Sequence, residues 1–141
     1  STTGLNIPKL AKAKEKFDLA SVDPSIPRHI IVSPEQINNL LNVTEVTSSD
    51  FNTVKALVQG EIDTFLGFKF TVSNRLAKTG NDRTCIAFAQ DGITLGIGKD
   101  VSARIDERAD KSYATQVYYC MSIGATRMEK EKVIGITCTE A

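Results

Sequence analysis

The chain has 141 residues, 41% hydrophobic and 24% charged, which suits one soluble globular domain with a core of its own. Lys plus Arg and Asp plus Glu each total 17, so the net charge is zero. That balance argues against a dedicated nucleic-acid binder and leaves little repulsion between copies. No apolar run approaches the ~20 residues of a membrane span, and no signal peptide is visible.

The predicted elements begin with a helix over Pro8–Leu19. Asn6 is its candidate N-cap, Pro8 sits in its first turn, and Leu10, Ala13, Phe17 and Ala20 recur at helical spacing. Its polar face carries Lys9, Lys12, Lys14 and Lys16, relieved by Glu15 and Asp18. The turn Asp23-Pro-Ser-Ile-Pro leads into a short buried strand over His29–Val32. Ser33-Pro-Glu-Gln36 reads as a capping box that starts a second helix to about Asn42, with Ile37, Leu40 and Leu41 inward. Thr47-Ser-Ser-Asp then caps a third helix, with Phe51, Val54, Leu57 and Val58 on its apolar side and Gly60 at its end. Phe68, Phe70 and Val72 alternate with polar residues and predict a half-buried strand, and Thr84–Ala89 predicts a central one. Gln90–Gly98 reads as a short helix because Ile93 and Ile97 lie four apart, although three glycines oppose it. Val101–Ile105 is a possible strand. Ala114–Ala125 and Lys132–Cys138 are two strand patterns that would form a hairpin over 112–138. Helices and strands intermix without βαβ alternation, so the predicted class is α+β: a mixed sheet flanked by short helices, with a C-terminal strand pair.

Residues able to carry chemistry are few. His29 is the sole histidine, and Cys85 or Cys120 could in principle serve it as a nucleophile, but no nucleophile elbow or cysteine-protease surround accompanies them. The three cysteines, Cys85, Cys120 and Cys138, are odd in number, lack a Cys-x-x-Cys and read as reduced and buried. One histidine and scattered cysteines do not make a zinc site. Asp106 with Glu107, or Glu61 with Asp63, could meet a hard cation only without the usual loop spacing. Gly92–Asp100 lacks the first glycine and the Ser or Thr of a phosphate loop, and reads as a tight packing turn. Tyr113, Tyr118 and Tyr119 fit packing better than base stacking. No catalytic residue, cofactor site or metal site is therefore predicted.

Lys99–Lys111 is different: eight of its thirteen residues are charged, four of each sign. Such density suits a surface that pairs with copies of itself, the alternative being a solvated loop. Subunit contacts are accordingly expected at Arg104, Asp106, Glu107, Arg108, Asp110 and Lys111.

This segment, read with Tyr113–Met128 and the closing Glu131-Lys-Val-Ile-Gly-Ile136, resembles the C-terminal end of a tailed-bacteriophage or prophage major capsid protein of the HK97-like coat fold. Glu45–Phe70 and Ile31-Val-Ser-Pro-Glu-Gln36 add two further matching blocks, in order, so the resemblance covers nearly the whole chain. It implies a structural, non-enzymatic role in an icosahedral shell around the genome, made in the bacterial host cytoplasm. The partners implied are copies of itself, with scaffolding or portal proteins, and neither a membrane nor a sequence-specific nucleic acid. It further implies that residues 1–141 are one compact piece of a longer subunit, mainly the axial domain, with the final strands linking to the peripheral domain. The arm, extended two-stranded loop and spine helix of such a subunit have no candidate in this sequence. A small α+β enzyme with an unrecognised site, or a nucleic-acid-binding module using the basic first helix, are the alternatives.

Overall fold

A computed structural model describes residues 3–41 and 64–140. The helix predicted from Thr47 to Gly60, and the Glu61–Asp63 pair, lie outside the described residues.

Helix α1 (Ile7–Leu19) starts where expected: the Asn6 side chain accepts from the Lys9 N–H at 3.1 Å. An N-cap of this kind contributes about 1 kcal/mol. Asn6→Ala should lower the thermal midpoint by about 3–4 °C in calorimetry, and an unchanged midpoint would mean that the cap is not made in solution. The buried stripe Leu10, Ala13 and Phe17 lies on a six-stranded mixed sheet. Strand β1 (Arg28–Val32) runs parallel to β3 (Phe68–Val72), which pairs with the short β2 (Thr64–Phe65). Strand β5 (Asp82–Ala89) is central, as predicted. It pairs with β1, with β4 (Lys78–Thr79) and, along Asp82–Phe88, with β8 (Val133–Thr139). Helix α2 (Pro34–Leu41) follows β1 directly.

The core is built from alternation. Ile30 and Val32, Cys85, Ala87 and Ala89, and Ile136 and Cys138 turn the same way and are buried with Leu10, Phe17, Leu40 and Phe68. The rings of Phe17 and Phe68 lie 6.1 Å apart. The Arg28 guanidinium covers Phe17 at 5.4 Å and pairs with Asp18 at 2.8 Å, so a buried arginine is neutralised at the helix that it braces.

The residues read as a capping box do something else. The Ser33 hydroxyl donates to the Glu140 carboxylate at 2.6 Å. Gln36 accepts from the Leu5 N–H at 2.8 Å and donates to Glu140 at 3.4 Å. Glu140 is 1% exposed, with Arg83 at 2.7 Å and Lys78 at 3.2 Å from its oxygens. Burial alone would push this carboxyl up, but its bonds to Ser33, Arg83, Lys78 and Gln36 outweigh that and hold it at about 2. One carboxylate thus ties the end of β8 to α2, β4 and β5.

Between β5 and β8 the chain leaves the sheet. After a 3-10 turn over Gln90–Gly92, β6 (Ile93–Arg108) runs out and β7 (Ala114–Arg127) returns antiparallel to it. Two expectations are corrected here. Gln90–Gly98 is a turn and the start of a strand, because Ile93, Leu95 and Ile97 alternate rather than stack and Gly96 faces Gly124 across the pair. The hairpin over 112–138 does not form: β7 pairs back onto β6, and β8 joins β5. The strands expected over Val101–Ile105 and Ala114–Ala125 are the outer part of β6 and most of β7.

Candidate assembly surface

At about 3.3 Å per residue the 16 residues of β6 reach some 50 Å. The ribbon is held at its root. The Met128 N–H donates to the Gly92 carbonyl at 3.0 Å, and Lys132 pairs with Asp91 at 2.5 Å and Glu129 at 3.1 Å, which push its ammonium pKa up. A Cβ on Gly92 would come within 3.0 Å of the Lys132 backbone, so the crossing needs a glycine.

Register sorts the ribbon into two unlike faces. Residues opposite one another share a face. Leu95 lies opposite Ala125, Ile97 opposite Ile123, Ala103 opposite Tyr119, and Ile105 opposite Val117, and these with Met121 make one apolar face. Thr94 opposite Thr126, Lys99 opposite Ser122, Ser102 opposite Cys120, Arg104 opposite Tyr118, and Asp106 opposite Gln116 make the other face polar. Irregularities between Ile97 and Ser102 keep both strands in phase across the ribbon. The apolar face is bare: Ile105 is 72% exposed, Val117 70% and Tyr119 63%. Among the described residues no helix or strand outside the ribbon makes more than slight contact with it, and a two-stranded ribbon whose apolar face is this exposed is marginal in water.

The predicted contact residues gather at the far end of the ribbon, all exposed. Arg104, Asp106, Glu107 and Arg108 close β6, and Asp110 and Lys111 lie in the 3-10 turn Ala109–Lys111 at the tip. Arg104 and Asp106 line a shallow recess of about 480 Å³ on the polar face, with Lys99, Gln116 and Tyr118. Glu107 falls on the opposite face. Arg108 is engaged within its own chain, its Nε and guanidinium Nη2 bonding the Asp110 carboxylate at 2.9 and 2.5 Å. Ser112 and Tyr113 complete the tip with φ of 52° and 57°, two successive left-handed residues that are not glycine. Such strain persists where its surroundings impose it, and it concentrates at functional surfaces.

The residues weighed for chemistry stay apart. His29 stacks on Phe88 across β1 and β5 at 5.5 Å. Cys85 is fully buried, and a hydrogen bond with Cys138 together with burial pushes its thiol far up, the reverse of an activated nucleophile. Cys120 differs from expectation: it is half-exposed on the polar face of the ribbon, where it bonds Tyr118 and pushes that phenol up. Asp106 and Glu107 point to opposite faces, and among the described residues no three His, Cys, Asp or Glu side chains cluster for a metal. Sequence reasoning missed the apolar half of the surface because it saw Val117, Tyr119, Met121 and Ile123 only as one face of a single strand, with no partner row assigned. Only the pairing with β6 shows the row doubled and uncovered.

A family model described as phage capsid protein matches residues 1–140. Among solved structures, a chain of Mycobacterium phage Che8 is similar with a TM-score of 0.70 at 18% identity, over 94% of this chain and 53% of that one. The capsid structure of the cyanophage P-SCSP1u gives 0.66 at 16% identity, over 99% of this chain and 54% of that one. A virus-like particle from Pyrococcus furiosus gives 0.50 at 16% identity, over 96% and 55%. The chain thus spans about half the length of each. No curated protein matches it in sequence.

Proposed function

The chain belongs to the phage capsid protein family, and on that premise we propose that it is part of a structural, non-enzymatic coat subunit that assembles with copies of itself into an icosahedral shell around the genome. The observation that carries this reading is the ribbon, with a bare apolar face on one side and a sign-balanced charged tip at its end. Neither enclosed chemistry nor a basic face is needed for that task, whereas self-complementary surface is. In this reading residues 3–41, 64–89 and 133–140 form mainly the axial domain, and the ribbon carries contacts between subunits. Synthesis in the host cytoplasm, and docking of scaffolding or portal proteins on the same shell, belong to the proposal.

The ribbon's size fits such a role. A two-stranded face roughly 50 Å long and 10 Å wide offers about 500 Å² per copy, or about 1,000 Å² for two, the lower limit of a specific interface. One contact of that area is weak alone, and a closed shell repeats it at every subunit.

Electron microscopy of the full-length gene product tests the reading: closed regular particles are expected, and a product that stays dispersed at every concentration overturns it. Arg108→Glu in that product tests the tip. Its exposed pair with Asp110 contributes only about 0–1 kcal/mol to folding, whereas a desolvated contact to a neighbour is worth about 2–5 kcal/mol. Particle yield should therefore fall while the thermal midpoint stays nearly unchanged. Equal losses of both would place Arg108 outside any interface.

A further inference from the structure

We propose that the outer edge of β8, beside the basic side of α1, binds an extended acidic peptide as an added strand. This inference is independent of the coat reading. Strand β8 lies at the limit of the sheet. The pairing of Cys85 with Ile136, and the Ala89 N–H donating to the Lys132 carbonyl at 3.0 Å, turn the backbone groups of the even-numbered residues toward β5. Those of Val133, Gly135, Thr137 and Thr139 turn outward. Two outward groups are taken at the far end of the strand: the Thr139 N–H donates to the Thr3 carbonyl at 3.1 Å, and the Thr137 carbonyl accepts from Lys9 Nζ at 3.1 Å. Along Val133–Thr137, no strand among the described residues pairs with the outer side. An open edge of this kind is a template for another strand.

The groove beside it is selective for charge. Lys9, Lys12 and Lys16 recur at i, i+3 and i+7 and share one side of α1. They line a groove of about 170 Å³ with Ile134, Gly135 and Thr137, and no acidic residue takes part. Lys9 is engaged at the closed end, whereas the side chains of Lys12 and Lys16 make no hydrogen bond or ion pair among the described residues. One helical turn separates Lys12 from Lys16, about 6 Å along the axis. Alternate residues of a strand stand about 6.6 Å apart on one face. An acid-x-acid strand laid on β8 therefore meets both lysines in register while its backbone bonds Gly135 and Thr137. Nucleic acid would meet the lysines but only half of the edge, since phosphates only accept, whereas β8 presents donors and acceptors in alternation.

The test uses this chain with a fluorescein-labelled peptide Thr-Glu-Thr-Glu-Thr-Glu-Thr, read by anisotropy and by amide exchange. Saturable binding is expected, with slowed exchange at Gly135 and Thr137. Affinity should fall at least about tenfold for the Gln-for-Glu peptide, for a peptide N-methylated along one edge, and for Lys12→Gln/Lys16→Gln. Both lysines are exposed, so circular dichroism should report an unchanged fold for the variant. Absence of binding overturns the proposal. So does equal binding of the N-methylated peptide, or full competition by oligodeoxythymidylate with exchange at Gly135 unaltered, either of which would make the site a general polyanion surface.

Discussion

Removing the Glu140 carboxylate is expected to destabilise this domain more than any change on its surface. Glu140→Gln keeps the volume but leaves Arg83, at 2.7 Å and largely buried, and Lys78, at 3.2 Å, without their counter-charge. Breaking a buried pair from one side costs about 3–5 kcal/mol, so the midpoint should fall by about 10 °C or more. Replacing both members, Glu140→Leu with Arg83→Met, should recover part of that loss, because no buried charge is then left uncompensated. The same group predicts a pH dependence. Its folded pKa of about 2 lies below the ordinary 4.5, so the stability it contributes is present above pH 5 and drains away as pH falls toward 2. That difference corresponds to about 3 kcal/mol between pH 5 and pH 2. Urea titrations across this range should show the decline in the parent chain and a flatter curve in Glu140→Gln. Parallel curves would mean that the carboxylate is solvated rather than held by Ser33 and Arg83.

Much of the sheet was legible from local periodicity. Leu10, Ala13 and Phe17 announce α1, alternation around Phe68 and Phe70 announces β3, and the apolar run over Thr84–Ala89 announces β5. What a local pattern cannot carry is the identity of a partner. The strand after Ala114 was visible, but whether it pairs forward with β8 or back with β6 depends on residues as distant as Ile93, which lies opposite Arg127, and Gly92, Gly96 and Gly98 obscured that partner by lowering both helix and strand propensity. The Glu140 hub was hidden for the same reason, since Ser33 lies 107 residues away. One signal was available: Ile134, Ile136, Cys138 and Glu140 are in phase, so the alternation of β8 points its final carboxylate inward with the core. The contact residues proposed from charge do come together at one end of the ribbon, while the larger apolar part of the surface needed the register to be seen.

That apolar face carries the second large expected effect. Ile105 and Val117 lie opposite one another at 72% and 70% exposure, so in the isolated chain Ile105→Asp with Val117→Asp removes almost no burial. The cost to the fold is the loss of β propensity at two positions and the repulsion of two carboxylates set opposite one another, about 2–3 kcal/mol at most, and the midpoint should move by no more than about 10 °C. Between subunits the arithmetic reverses. Each apolar side chain buried in a contact is worth about 1.5–3 kcal/mol, so two per contact amount to about 3–6 kcal/mol, and the carboxylates add a desolvation cost of their own. A loss of 1.4 kcal/mol is tenfold in the association constant, so at fixed concentration the full-length variant should require at least about a hundredfold more protein to form particles. Ser122→Asp is the matched control, since it places the same charge on the polar face, opposite Lys99. Light scattering and electron microscopy should find assembly abolished in the first variant and close to normal in the second. Equal effects from both would show that assembly does not distinguish the two faces of the ribbon, and the apolar side would then have to be covered from within its own subunit.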